Sequence, residues 1–265
     1  VAMTPYLGME HQSIIAYGGD FDNGAMTGGV DCGFDALHHH ELAHEWRGNL
    51  VTNADWKDMW IHEGFGTYMQ ALWLEETQGI ERYHEYMASI QPRMGNALPT
   101  APRYSLSAQE VYGSDIYFKG AWVLHTLRYL VGEEAVREAL RLMAYPSEDA
   151  AWETSGAHVR FASTADVVTV FEAVSDRELD WLFEVYLRQA ELPELLVQLE
   201  AGDGERQMEL RWRVPIDLPF PRPVPVRLGD RTAIVGMADG AATLTVPAGV
   251  EPEIDPENWV LRASP

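Results

Sequence analysis

The chain has 265 residues, of which 46% are apolar and 23% charged, with 41 acidic against 19 basic residues and a net charge of −22. That length builds one large domain or two ordinary ones around a real core. A surface this negative repels phosphate backbones, which argues against a nucleic-acid partner, and no apolar run is long enough to cross a bilayer, which argues against a membrane partner. The single cysteine, Cys32, forbids a disulfide within the chain; it reads as a small buried residue, fits a reducing compartment and leaves secretion open.

In chain order, Tyr6 to Tyr17 reads as a strand ended by Gly18-Gly19, and residues 18–34, rich in Gly and Asp, as a loop. Asp35 is placed to cap a helix running to about Trp46, with Gly48-Asn49 as its stop. A second helical stretch spans Trp56 to Thr77 and ends near Gly79. Shorter helices are expected around 80–90, 116–130, 133–144, 164–174 and 176–190, with an exposed loop over 146–160. The texture changes near Glu191-Leu192-Pro193. Segments 194–200, 207–213, 224–228, 231–236 and 242–246 are short, alternating or β-branched, and separated by Gly, Pro and Asp turns, the pattern of a small β-sandwich. The expected class is α+β, with a mostly helical domain over 1–191 and a β-sandwich over 192–265.

The first helix contains His40-Glu41-Leu42-Ala43-His44, an H-E-x-x-H motif. Positions i and i+4 of a helix share one face, so both imidazoles can reach one metal ion, while Glu41 lies where it can take a proton from an activated water. The motif alone is weak, because helices with two histidines occur by chance. The next element adds weight: 18 residues separate His44 from Glu63 in Trp60-Ile61-His62-Glu63-Gly64-Phe65, and an antiparallel second helix would bring Glu63 to the same ion. Two His, one Glu and a water form a catalytic zinc set. His38 and His39 fall out of register, His62 is expected to point elsewhere on its helix, and His84, His125 and His158 read as solvated or hydrogen-bonded. Trp46, Trp56, Trp60 and Trp73 read as helix-packing residues.

Four blocks in order make the chain resemble the aminopeptidase N family of zinc metallopeptidases, the gluzincins, and within it a bacterial member without the C-terminal helical domain. Gly8-Met9-Glu10-His11 is similar to the family's G-x-M-E-N motif. His40 to Asn49 matches H-E-x-x-H followed by Trp and Gly-Asn. Trp56 to Tyr68 matches W-x-x-x-W-x-x-E-G-F-x-x-Y, and Tyr117-Phe118-Lys119-Gly120 matches Y-x-K-G. The resemblance implies a thermolysin-like catalytic domain followed by the β-sandwich, one Zn2+ bound by His40, His44 and Glu63, and Glu41 as general base and proton shuttle. It further implies that Tyr117 donates to the oxyanion of the tetrahedral intermediate, that Glu10 holds the substrate's free α-amino group, and that Gly8, Met9 and His11 help to bind substrate. His11 stands where the family usually has Asn, and Arg47 where it often has a bulky apolar residue; Arg47 is expected to be peripheral. Family members carry a large β-rich domain before the M-E-H strand, so an upstream partner is expected, as part of the same protein or as a separate chain.

The implied activity is zinc-dependent removal of the N-terminal residue from peptides. The rival readings are a zinc endopeptidase on the same metal centre, an epoxide hydrolase as in one branch of the family, and a non-catalytic fragment that keeps the fold.

Overall fold

The computed structural model describes residues 1–263. Three short strands come first: β1 (Ala2–Met3), β2 (Gly8–His11) and β3 (Ile14–Tyr17). Then follow α1 (Ala36–Ala43), β4 (Val51–Asn53), α2 (Trp60–Gln78), α3 (Ile80–Ile90), α4 (Ala108–Val111), α5 (Ser114–Val131), α6 (Glu133–Ala144), β5 (Arg160–Ala162), α7 (Thr164–Ser175) and α8 (Asp180–Leu187). The rest is strand: β6 (Glu194–Leu199), β7 (Arg206–Arg213), β8 (Val224–Leu228), β9 (Arg231–Val235), β10 (Ala241–Val246) and β11 (Pro252–Ile254). Helix and strand are thus mixed, with helices dominating up to α8.

The stretch Tyr6–Tyr17 is a hairpin and not one strand. Gln12 and Ser13 turn the chain, Ser13 in the left-handed region at φ 65°, and β2 pairs antiparallel with β3 in the register Glu10 to Ile15. The sheet order is β1-β3-β2, so β2 is an edge strand. Helix α1 starts as expected, with the Asp35 carboxylate accepting the His38 N–H at 2.9 Å, but stops at Ala43. Beyond it the loop takes the free carbonyls: the N–H of Asn49 reaches His44 O at 2.8 Å and that of Leu50 reaches Glu45 O at 3.1 Å, so the chain curls away before Trp46.

Helix α2 is the centre of the molecule. A single tight turn, Trp56–Asp58, precedes it, and Gly79 at φ 94° ends it. Every residue from Trp60 to Tyr68 is buried, the mark of a helix enclosed on all sides. It crosses α5 where two glycines meet: a Cβ on Gly64 would lie 2.8 Å from Gly120 Cα, and one on Gly120 would lie 2.9 Å from Gly64 Cα. At its start, buried Asp58 accepts the Thr164 N–H at 2.9 Å and the Thr164 hydroxyl at 2.6 Å, and that hydroxyl accepts from Trp60 Nε1 at 2.9 Å. These bonds tie α7 to α2 through groups that would be costly to bury unpaired.

Of the four tryptophans read as packing residues, only Trp60 is fully buried; Trp46, Trp56 and Trp73 are each more than 40% exposed. Arg47 is not peripheral. It is buried, its guanidinium donates to the Leu140 carbonyl and lies 5.3 Å from the Phe65 ring centroid. The loop after α6 is exposed, with Trp152 its most open large apolar side chain and one tight turn at Asp149–Trp152.

After α8 lie two three-stranded sheets, β10-β7-β6 and β11-β8-β9, all pairs antiparallel. Strand β7 alternates: Met208, Leu210 and Trp212 are buried while Glu209, Arg211 and Arg213 face water. The buried residues of both sheets belong to the same core as Trp60, Phe65 and Leu124.

Candidate metal centre and active site

Helices α1 and α2 place three ligand atoms together. His40 Nε2 lies 3.1 Å from Glu63 Oε2, His44 Nε2 lies 3.5 Å from the same oxygen, and the two Nε2 atoms are 3.1 Å apart. Tetrahedral zinc with bonds near 2.0–2.1 Å needs ligand atoms about 3.3 Å apart, so the triangle fits. Second partners support this use. His44 Nδ1 lies 2.7 Å from the Arg47 carbonyl; since a carbonyl only accepts, Nδ1 carries the hydrogen and Nε2 keeps its lone pair for the centre. Gly66 leaves room for the other imidazole, because a Cβ there would approach His40 Cε1 to 3.0 Å.

The electrostatics also ask for a cation. Burial opposes charge on Glu63, but His40 and His44 outweigh it and hold its carboxyl well below the usual range. Burial likewise opposes charge on His44, yet Glu63 outweighs it and pushes His44 up to about 9. Burial keeps His40 down. A buried carboxylate facing two imidazole nitrogens is relieved by a proton on His44, or more completely by a divalent ion bonded to all three atoms.

Around this centre runs a cleft of about 660 Å³, lined among others by Gly8, Met9, Glu10, Glu41, Tyr112 and Tyr117. A larger hollow of about 780 Å³ beside β6 and β7 holds none of the motif residues; the chemistry singles out the smaller one. Glu41 is buried, and its Oε2 has no protein partner among the described residues. Burial pushes its pKa up to about 7. Gly8 closes over it so tightly that a Cβ would sit 2.2 Å from Glu41 Oε1. Tyr117, on α5, stacks on His40 with centroids 5.9 Å apart. Burial, with Glu63 and Tyr112 nearby, raises its pKa above that of an ordinary phenol, so the hydroxyl stays a donor. Glu10 projects from β2; burial raises its pKa, but His62 and His44 outweigh that and leave it lowered. His11, also on β2, is exposed and is not part of the cleft lining. Lys119 of the Y-F-K-G block is buried away from the centre, its ammonium donating to the carbonyls of Gln189 and Ala190 at 3.0 and 2.7 Å.

The sequence pattern of the Peptidase family M1 domain matches residues 21–151. Over these residues the chain belongs to the M1 peptidase family. The chain is 27% identical to Aminopeptidase M1-C of Oryza sativa subsp. japonica over 201 residues, 68% of this chain and 21% of that protein. It is 35% identical to Aminopeptidase N of Oryctolagus cuniculus over 113 residues, 38% of this chain and 12% of that protein. It therefore spans at most about a fifth of the length of these relatives. Among solved structures, the M1 zinc metallopeptidase of Deinococcus radiodurans matches with a TM-score of 0.53 at 26% identity, covering 72% of this chain and 39% of that one. Legionella pneumophila aminopeptidase A matches with a TM-score of 0.58 at 18% identity, covering 80% and 24%, a likeness of fold alone. The expected kinship with the aminopeptidase N family is thereby established.

The M1 domain contains three site residues that sequence reasoning missed. Tyr112 donates its hydroxyl to Glu63 Oε1 at 3.2 Å, holding the oxygen that does not face the histidines. Arg47 orients His44 through its backbone carbonyl, a contact with no side-chain signature. His62 is not one of the three residues of the triangle but lies beside it, its ring centroid 6.0 Å from that of His44 and its Nδ1 3.8 Å from Glu10 Oε1. The one sequence signal was the adjacency of His62 to Glu63.

Proposed function

We propose that the chain is the catalytic core of a zinc-dependent aminopeptidase that hydrolyses the N-terminal residue of peptides. The observation that carries this reading is that Glu10, Glu41 and Tyr117, from three different elements, line one cleft with the His40, His44 and Glu63 triangle. In this reading one Zn2+ is held by His40, His44 and Glu63, and when bound it polarises the scissile carbonyl and acidifies a water. Glu41 Oε2, unpartnered and near neutrality in pKa, takes a proton from the attacking water and returns it to the leaving amine. The Tyr117 hydroxyl donates to the oxygen on which negative charge develops; such a donor stabilises the transition state more than the ground state. Glu10 holds the substrate ammonium, which places the scissile bond one residue from the N-terminus. Gly8 and Met9 form the adjoining wall, while His11, the last residue of the same strand, lies outside the cleft lining.

We also read 1–191 as a thermolysin-like catalytic unit and 192–265 as a β-sandwich attached to it. An upstream β-rich domain, in the same or a separate chain, belongs to this proposal: Met3, Tyr6, Leu7, Ile14 and Phe21 form exposed apolar surface around β1–β3 that such a domain would cover.

The Deinococcus radiodurans structure has also been determined as a variant bound to a Tyr-Ser-Ala substrate, which makes that tripeptide a suitable first probe. Wild type is expected to release tyrosine from Tyr-Ser-Ala, to lose at least about tenfold in kcat/KM on the N-acetylated peptide, and to stop when a chelator removes zinc. Equal cleavage of the acetylated peptide would point to an endopeptidase, and activity indifferent to chelator would remove zinc from the reading.

A further inference from the structure

His62 is buried, and its surroundings fix the role of one ring nitrogen and leave the other without a partner. Nε2 lies 3.0 Å from the backbone N–H of Asn53 on β4. A backbone N–H only donates, so Nε2 accepts, and an imidazole that accepts at Nε2 carries its hydrogen on Nδ1. That Nδ1 has no hydrogen-bond partner among the described residues. Its nearest acidic neighbour is Glu10, with Oε1 3.8 Å away and a side chain 16% exposed. A buried donor without a partner is costly, and hydrogen bonds of a catalytic site often stand long until substrate arrives.

We propose that His62 is a positioning residue that holds one carboxylate oxygen of Glu10 through its Nδ1–H and leaves the other oxygen for the substrate's ammonium. The inference deepens the aminopeptidase reading and rests on Glu10 being the amine site. Glu10 alone would be a flexible side chain on an edge strand. His62 ties it to α2, the enclosed helix that also carries Glu63, so the amine clamp is anchored to the same rigid element as one ligand of the metal set. The spacing between them is then fixed, and with it the one-residue register of cleavage. Asn53 completes the arrangement by fixing which nitrogen carries the hydrogen.

Two substitutions separate the sides of the ring. In His62→Gln the side-chain oxygen can replace Nε2 as acceptor for Asn53, but nothing replaces Nδ1–H. In His62→Asn the amide NH2 stands near the place of Nδ1. Loss of one charge-assisted hydrogen bond at a substrate clamp is worth roughly tenfold in binding. His62→Gln is therefore expected to raise KM for Tyr-Ser-Ala by about tenfold with kcat within about twofold, while His62→Asn recovers most of KM. On a Glu10→Gln background His62→Gln is expected to change nothing further. Zinc content is measured in each variant, and 15N NMR of the imidazole in wild type is expected to show the Nδ1–H tautomer, with the His62 signals moving on Glu10→Gln.

An Nε2–H tautomer, equal losses in both variants, or additive effects of Glu10→Gln and His62→Gln would overturn the proposal. Should a variant lose its zinc or its fold, the wild-type tautomer and its response to Glu10→Gln decide. The broader reading fails separately: wild type would then treat free and acetylated peptides alike, whatever the His62 variants do.

Discussion

Glu41 is the most exacting residue of the site. Its carboxylate is shut in by Gly8 on one side, its Oε2 is unpartnered, and burial has brought its pKa near 7. A glutamine has the same shape and can sit under Gly8 but cannot accept and return a proton. Glu41→Gln is expected to keep zinc at one equivalent, since Glu41 is not part of the ligand triangle, and to lower kcat by roughly 10²–10⁴. Metal analysis beside steady-state kinetics tests this, and turnover within tenfold of wild type would remove Glu41 from the role of base. At this scale the sequence was informative where chemistry follows from spacing along one helix. His40, Glu41 and His44 could be read directly, and Glu63 nearly so. Tyr112 and His62 could not, because each acts across a tertiary contact, and the Arg47 carbonyl could not, because a backbone group leaves no side-chain signature.

Among the elements, the α2–α5 crossing decides whether the site exists. Glu63 and Tyr117 lie on different helices and share one cleft because Gly64 and Gly120 let the backbones touch. Gly64→Ala puts a methyl 2.8 Å from Gly120 Cα and 3.1 Å from Ile116 O, against backbone that cannot rotate aside. Overpacking of this kind costs about 1–3 kcal/mol. The expected outcome is that loss in chemical denaturation together with a fall in kcat as Tyr117 moves from the centre; a variant as stable and as active as wild type would show that the helices have slack. The same dependence on contact explains which elements could be foreseen. Helices α2, α3, α5 and α6 carry their own periodicity and stops, and β6 to β10 their own alternation and turns. Strands β1, β4, β5 and β11 are two or three residues long and exist only by pairing with distant partners, as Val51 does with Arg160. The hairpin at Gln12-Ser13 escaped notice because no Gly or Asn marks the turn.

For the whole molecule, His125 shows that the helical part and the C-terminal stretch form one structure. It is buried on α5 between Tyr83 of α3, whose hydroxyl lies 2.7 Å from Nδ1, and the Asn258 carbonyl, 2.9 Å from Nε2. The carbonyl only accepts, so Nε2 donates to it and Nδ1 accepts from Tyr83. Trp259 stacks on the ring with centroids 4.7 Å apart, and Arg222, on the segment before β8, donates to Thr126 on the next residue of α5. Burial pushes the His125 pKa from 6.5 down to about 3, despite the opposing carbonyl. An unfolded His125 titrates at 6.5, so between pH 6.5 and 3 the unfolded chain binds a proton that the folded chain refuses. Stability must therefore fall as pH drops through that window, by at most about 1.4 kcal/mol per pH unit from this group, with no further change above it. His125→Gln removes the titration. It is expected to be less stable at pH 7 but to lose stability less steeply from pH 6 to pH 4, measured by denaturant unfolding of both proteins at each pH. Acid sensitivity arising at the metal site is common to the two proteins and cancels in the difference. Parallel curves would mean that His125 takes up its proton without unfolding, which would require the Asn258 and Trp259 contact to open locally and the C-terminal stretch to be the first part of the molecule to detach.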